Sequence, residues 1–178
     1  MTQIDNINID SQTPLSSPQE VISEFAASEQ TLEFIAQSRQ DVVNILERRD
    51  TRKIMIVGPC SIHNEEDALE YARRLKKIQG EVSDKLLLVM RVYFEKPRTT
   101  IGWKGLIYDP DLNDSYDFEK GLRLSRKIMR EVANMGIPTA TEILDPISAQ
   151  YIADLVCWAA IGARTTESQT HRQLVSGL

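Results

Sequence analysis

A strict alternation of short apolar runs with helical patterns constrains this chain more than any other feature. From Lys53 onward, Ile54-Met55-Ile56-Val57, Leu86 to Met90, Ile137 to Ile143 and Cys157 to Ile161 read as strands, with helical segments between and after them. The first run lacks the polar alternation of a half-exposed strand, as expected of a parallel strand covered on both faces. Strands alternating with helices imply parallel pairing through right-handed crossovers, an α/β architecture. Two such architectures remain: an open doubly wound sheet, or half of a closed barrel.

The helices are marked by their ends. Ser17-Pro18-Gln19-Glu20 supplies an N-cap, proline at the first helical position and glutamate at the third, so a short helix is expected to about Ala27. A longer one starts at Ser28, with Leu32, Ile35, Val42, Val43 and Leu46 on one face, which must be covered by the barrel or by another subunit. Asn64 caps a helix with an acidic first turn and basic later turns, and Gly80 is expected just past its end, with Ala68, Ala72 and Leu75 facing the core. Further helices are expected at about 118–134, with Leu122, Leu124, Ile128 and Val132 inward, at 148–155 and at 167–176. The spacing thus divides the chain into an N-terminal arm with helices over 1–50 and a strand-helix region over 51–178.

Composition excludes several classes. The 21 basic and 26 acidic residues give a net charge of −5, which argues against a general nucleic-acid or anionic-membrane surface. No apolar run approaches a membrane span, and residues 1–17 lack the basic and apolar regions of a signal peptide. The two cysteines are too few for a disulfide framework, so a cytoplasmic setting is the expectation. Within this acidic chain, Arg91, Lys96, Arg98 and Lys104 form a basic island with Glu95 as its one acid. An anionic small substrate would require such an island; a solvated charged loop would also produce one.

Four motifs begin where apolar runs end: GPCSIH at 58–63, KPRTT at 96–100, GWKGL at 102–106 and GARTTESQTHR at 162–172. Strand ends are where an α/β barrel keeps its chemistry. Residues 95–117 form a long loop rich in Gly, Pro, Asp and Asn, and long loops in compact domains are usually functional. No glycine-rich phosphate loop follows the first strand, which weakens the nucleotide-binding alternatives.

The set GPCSIH, RVYFEKPRTT, GWKGLI with its following DP and L, PTATE-LD and AIGARTTESQTHR resembles the type I 3-deoxy-D-arabino-heptulosonate 7-phosphate (DAHP) synthases, in their feedback-regulated bacterial class, from about Ser38 to Leu178. The resemblance implies a (β/α)8 TIM barrel, of which about four βα units are present, preceded by an N-terminal helical extension. It implies condensation of phosphoenolpyruvate with erythrose 4-phosphate, the first step of the shikimate pathway. A complete barrel of this type typically takes about 250 residues, so the chain reads as its first half. On that reading the 178-residue chain alone is expected to be inactive and marginally stable, with two open sheet edges.

Site residues follow from the same resemblance. Arg91, Lys96 and Arg164 are expected to hold phosphoenolpyruvate, with the backbone N–H of Ala163 available to its phosphate. Lys96, Pro97, Arg98, Thr99 and Thr100 would line the erythrose 4-phosphate side. Cys60 would be a ligand of a divalent metal (manganese, iron, cobalt or zinc), whose Lewis acidity polarises the aldehyde. Carbon 3 of phosphoenolpyruvate then attacks that aldehyde, water adds at carbon 2, and phosphate leaves. Lys96 and Glu142 are the catalytic candidates, Glu142 as the group that orients the attacking water. Plainer readings stand beside these: Arg91 as a strand-end ion pair with Glu142, Cys60 as a small core residue, Glu142 as a structural ion-pair partner. His63, His171 and Cys157 are read as structural, and Trp103 and Lys104 as shaping the loop.

The resemblance further implies an aromatic amino acid effector and a homo-oligomer, with no nucleic-acid or membrane partner. Two alternatives stay open: a non-catalytic binding or assembly module derived from the same enzyme, and a 3-deoxy-octulosonate 8-phosphate synthase. KPRTT and the setting of Cys60 favour the erythrose 4-phosphate enzyme over the latter.

Overall fold

The computed structural model describes residues 4–9 and 12–177. Residues 1–3, 10 and 11 of the expected polar arm, and Leu178 after the last expected helix, lie outside the described residues.

Helix α1 (Pro18–Glu24) begins as its sequence requires. Ser17 accepts from the Glu20 N–H while the Glu20 carboxylate takes the Ser17 N–H, a reciprocal cap that satisfies two end donors. The arm before it is anchored at Ser16, whose N–H donates to Glu119 and whose carbonyl accepts from the Tyr151 hydroxyl. Helix α2 (Glu29–Leu46) is capped by Ser28. Its buried face is Thr31, Ile35, Ser38 and Val42, whereas Leu32, Val43 and Leu46 are exposed. The sequence expectation had rotated this face, because the small polar residues Thr31 and Ser38 are as inward as the aliphatics. Thr31 bonds to Asn134 and Ser38 donates back to the Phe34 carbonyl, which allows both to be buried.

Four parallel strands follow in the order β1 (Lys53–Val57), β2 (Leu86–Arg91), β3 (Thr139–Ile143) and β4 (Trp158–Ile161). The spatial order equals the chain order, so each crossover returns one strand further along, as in a barrel cut open between two strands. β2 and β3 are the buried strands, with Leu87, Leu88, Val89 and Met90 of β2 inside, whereas β1, expected to be covered on both faces, lies at the edge of the sheet with Met55 and Ile56 exposed. Helices α3 (Glu65–Val82) and α4 (Phe118–Asn134) cover one face of the sheet. There Leu88, Met90, Ala72, Leu75, Leu122, Ile128 and Val132 share a single apolar cluster. The other face, toward the axis of a barrel, is covered at its N-terminal end by α2, where Val42 and Ile45 meet Ile54, Leu87, Val89, Ala140 and Trp158. So the Ile35 and Val42 side of α2 is covered within the chain itself, while Leu32, Val43 and Leu46 stay exposed.

Three expectations change. α3 runs through Gly80 to Val82, because Val82 reaches the core and rewards two further residues of helix despite the glycine's poor propensity. The β2 ladder ends at Arg91, and Val92 to Phe94 continue without strand pairing apart from single bonds such as the Val92 N–H to the Ala140 carbonyl. Segment 148–155 is two 3-10 turns, Ser148–Tyr151 and Ala153–Leu155, not a helix. Its carbonyls are taken by arginines from elsewhere: Arg126 donates to Tyr151, and Arg39 donates to Ala153 and Val156.

The final helix, α5 (Gln169–Val175), is capped by Ser168 and preceded by a 3-10 turn at Ala163–Thr165. No helix among the described residues is long and apolar enough to cross a membrane.

Candidate active site

The C-terminal ends of β2, β3 and β4 open into a pocket of about 600 Å³, within the range of small-molecule sites. Lys96, Pro97, Arg98, Thr99 and Lys104 form one wall; Glu142, Leu144 and Asp145 form another; Gly162, Ala163 and Arg164 close it from β4. Thr100 is exposed on the loop and is not part of the wall. Among the described residues Arg98, Lys104 and Arg164 make no ion pair, so three cations face this space without a carboxylate partner. Such an arrangement is suited to phosphate or carboxylate.

Lys96 joins the pocket to the end of β1. Its Nζ donates to the Cys60 carbonyl at 2.7 Å and to the Cys60 sulfur at 3.2 Å. That bond, and the positive charge behind it, hold the exposed Cys60 thiol below its usual range. Cys60 is therefore not a core cysteine. Cys157, by contrast, is pushed up by burial and contacts the main apolar cluster.

Arg91 does not pair with Glu142. Its Nε donates to the Pro59 carbonyl at 3.0 Å and one terminal nitrogen donates to the Gly58 carbonyl at 2.9 Å, with the guanidinium over the Tyr93 ring. Gly58 is required here: a Cβ would lie 2.5 Å from the Arg91 carbonyl oxygen. The planar fork is thus fixed at the strand end, beside the pocket rather than in its wall. The Glu142 side chain, half-buried on β3, makes no hydrogen bond or ion pair to other described residues and faces the pocket as an acceptor.

The long loop has an inner layer. Leu106 and Ile107 are fully buried, Trp103 donates to the Asp109 carbonyl, and Lys96 N–H donates to the Lys104 carbonyl. Gly105, at φ 105°, lets the loop pass against Phe94, where a Cβ would meet the Phe94 oxygen at 2.2 Å. His63 sits at the start of α3, bonded to Asn64 and paired with Asp67. His171 bonds to Ser168 and to the Leu144 carbonyl, tying α5 to the β3 loop.

Sequence reasoning missed Glu95. This carboxylate lines the inner end of the pocket, nearly buried, and burial is the main cause that pushes it up to about 7. Its signal was present as the lone acid of the basic island.

Residues 21–178 match the model of the DAHP synthetase I family. The chain belongs to that family. As a member of the DAHP synthetase I family it is 55% identical over 175 residues to the Tyr-sensitive phospho-2-dehydro-3-deoxyheptonate aldolase of Escherichia coli (strain K12), covering 98% of this chain and 49% of that one. It is 48% identical over 176 residues to the Phe-sensitive enzyme of the same organism, again across half of the relative. The structure of the Francisella tularensis phospho-2-dehydro-3-deoxyheptonate aldolase superposes with a TM-score of 0.91 at 48% identity, covering 96% of this chain and 50% of that one. The chain spans about half the length of the family relatives it matches. Its four-stranded sheet is accordingly part of a (β/α)8 barrel.

The family resemblance also implies a divalent metal. Cys60 suits that role chemically, as an exposed sulfur held toward the thiolate. Among the described residues no three His, Cys, Asp or Glu side chains converge on one point, so Cys60 is a single donor and not a complete site.

Proposed function

We propose that this chain supplies the phosphoenolpyruvate and erythrose 4-phosphate contacts of a DAHP synthase, which joins the two substrates and releases phosphate. The observation that carries this reading is the convergence of Lys96, Arg98, Lys104 and Arg164 on one pocket at strand ends. The two substrates bring two phosphates and a carboxylate, and a site for both must neutralise these charges close together.

Arg91 and Lys96 take the carboxylate side of phosphoenolpyruvate, and Arg164 with the Ala163 backbone takes its phosphate. Lys96, Pro97, Arg98 and Thr99 line the side of the phosphorylated aldehyde, with Thr100 next on the loop outside the pocket wall. Glu142, a carboxylate on the pocket wall, orients the water that adds at carbon 2 of phosphoenolpyruvate. Cys60 would be one donor to a divalent metal, which would supply Lewis acidity toward the aldehyde. The remaining donors are expected from residues outside these 178.

The names of the Tyr-sensitive and Phe-sensitive relatives support an aromatic amino acid effector for the whole enzyme. A homo-oligomer and a cytoplasmic setting belong to the same reading.

The test is phosphate release from phosphoenolpyruvate with erythrose 4-phosphate and manganese, by the chain alone and mixed with the C-terminal half of a relative. No turnover alone and turnover with the complementing half is the expected result. Absence of turnover in the mixture, together with no binding of phosphoenolpyruvate, would overturn the assignment.

A further inference from the structure

Main-chain pairing between β2 and β3 is short. Only Met90 with Thr139 and Arg91 with Ala140 are in register, and the last ties above them are the Val92 N–H to the Ala140 carbonyl and the Thr141 hydroxyl to the Val92 carbonyl. Beyond this point the two chains separate, and the gap between them becomes the pocket. One wall continues from β2 into Lys96 and Arg98; the other continues from β3 into Leu144 and Asp145.

Glu95 spans that gap. Its Oε1 accepts from the Ser148 hydroxyl at 2.7 Å, and its Oε2 accepts from the backbone N–H groups of Leu144 and Asp145, each at 3.3 Å. The residue is 6% exposed, so these bonds are sheltered from water. In its own segment it is held against the Lys104–Gly105 backbone: a Cβ on Gly105 would lie 2.7 Å from the Glu95 Cα, and the next residue's N–H donates to the Lys104 carbonyl. The facing residues are themselves engaged, since Asp145 accepts from the Tyr108 hydroxyl and from the Ile147 N–H. Where the sheet ladder stops, a side chain takes over its work.

We propose that Glu95 is a positioning residue of the pocket: its carboxyl group clamps the β3 loop to the β2 loop and so sets the spacing between Lys96 and the Glu142–Asp145 wall. The role deepens the substrate assignment above and rests on it for its functional consequence, while the clamp itself is a property of the chain. The carboxyl group fits the position in either protonation state. As an acid, its O–H donates to Ser148 Oγ, whose own hydrogen is then free for the Asp145 carbonyl at 3.2 Å. Glutamine retains the same three contacts with its oxygen toward the two N–H groups and its NH2 toward Ser148.

The test compares Glu95→Ala, Glu95→Gln and Ser148→Ala in the full chain, by amide hydrogen exchange over residues 144–148 and by titration with phosphoenolpyruvate. Glu95→Ala is expected to accelerate exchange at Leu144 and Asp145 about tenfold and to weaken phosphoenolpyruvate binding by about the same factor. Glu95→Gln is expected to restore both to near the wild-type values. Ser148→Ala loses one of the three contacts, gives a smaller acceleration, and keeps the test readable if Glu95→Ala does not fold. Unchanged exchange in both Glu95→Ala and Ser148→Ala would overturn the clamp. Faster exchange with unchanged ligand affinity would overturn the positioning role and leave a merely structural one. If the wild-type chain binds no phosphoenolpyruvate, the substrate assignment is what fails, and the exchange comparison still decides the clamp.

Discussion

The ammonium of Lys96 lies 3.2 Å from the sulfur of Cys60, so one side chain links the end of β1 to the pocket beyond β2. Lys96 is also the largest cause of the lowered pKa of the thiol, first through its hydrogen bond and then through its charge. Replacing Lys96 with methionine keeps the length and removes both effects. The pH midpoint for alkylation of Cys60 should then move upward, and less thiolate should be present at neutral pH. Cys157, pushed up by burial, serves as a slow internal reference. Equal midpoints in the two proteins would show that Lys96 does not act on this sulfur.

Gly58 makes a second test of the same strand end. A methyl group there would sit 2.5 Å from the Arg91 oxygen and 2.9 Å from the Arg91 Cβ, closer than real contacts allow. Neither strand can yield without breaking the β1–β2 register from Lys53–Leu86 to Val57–Met90. Gly58→Ala should cost about 1–3 kcal/mol in urea unfolding, the usual range for overpacking. It should also disturb Arg91, whose two partners are the Gly58 and Pro59 carbonyls. A stability within 0.5 kcal/mol of wild type, roughly the size of neutral surface changes, would contradict this.

Arg126 and Asp154 give an asymmetric pair. Arg126 is fully buried and donates to both oxygens of Asp154, whose side chain stays one-third exposed. Removing the carboxylate in Asp154→Ala strands a guanidinium inside the protein and should cost roughly 3–5 kcal/mol. Arg126→Met instead leaves an aspartate that water can reach, and should cost less. Chemical unfolding of the two variants checks the order, and a reversed order would refute it.

What the sequence made legible was local or periodic. Ser17, Ser28 and Asn64 act as caps because their bonds close within three residues, so nothing distant can override them. The four strands were legible from their apolar runs, although burial on both faces holds for β2 and β3 and not for β1, whose Met55 and Ile56 are exposed at the sheet edge. The 3-10 segment was not: Ala149, Ile152 and Leu155 have helical spacing, but Arg126 and Arg39 come from 25 to 117 residues away to take its carbonyls. The basic side of the pocket was legible from its motifs, whereas Glu95 was not, since its partners Leu144, Asp145 and Ser148 become neighbours only when β2 and β3 pair.

Glu95 also makes the pH dependence of stability predictable. Burial, opposed by its hydrogen bonds and assisted by the Asp145 charge, raises its pKa from 4.5 to about 7. The groups facing it are Asp145 and the Tyr108 hydroxyl, with Lys96 next in sequence on the pocket side. The folded state therefore holds a proton that the unfolded chain releases at lower pH. The resulting stability is fully present below about pH 4.5 and is lost as pH rises through about 7, a change on the order of 3 kcal/mol. Glu95→Gln carries no such proton. Its stability relative to wild type should therefore rise between pH 4.5 and 8 and level off above, as read from urea unfolding at several pH values. Parallel stability curves for the two proteins would mean that Glu95 remains ionised throughout, with its three hydrogen bonds outweighing the cost of burial.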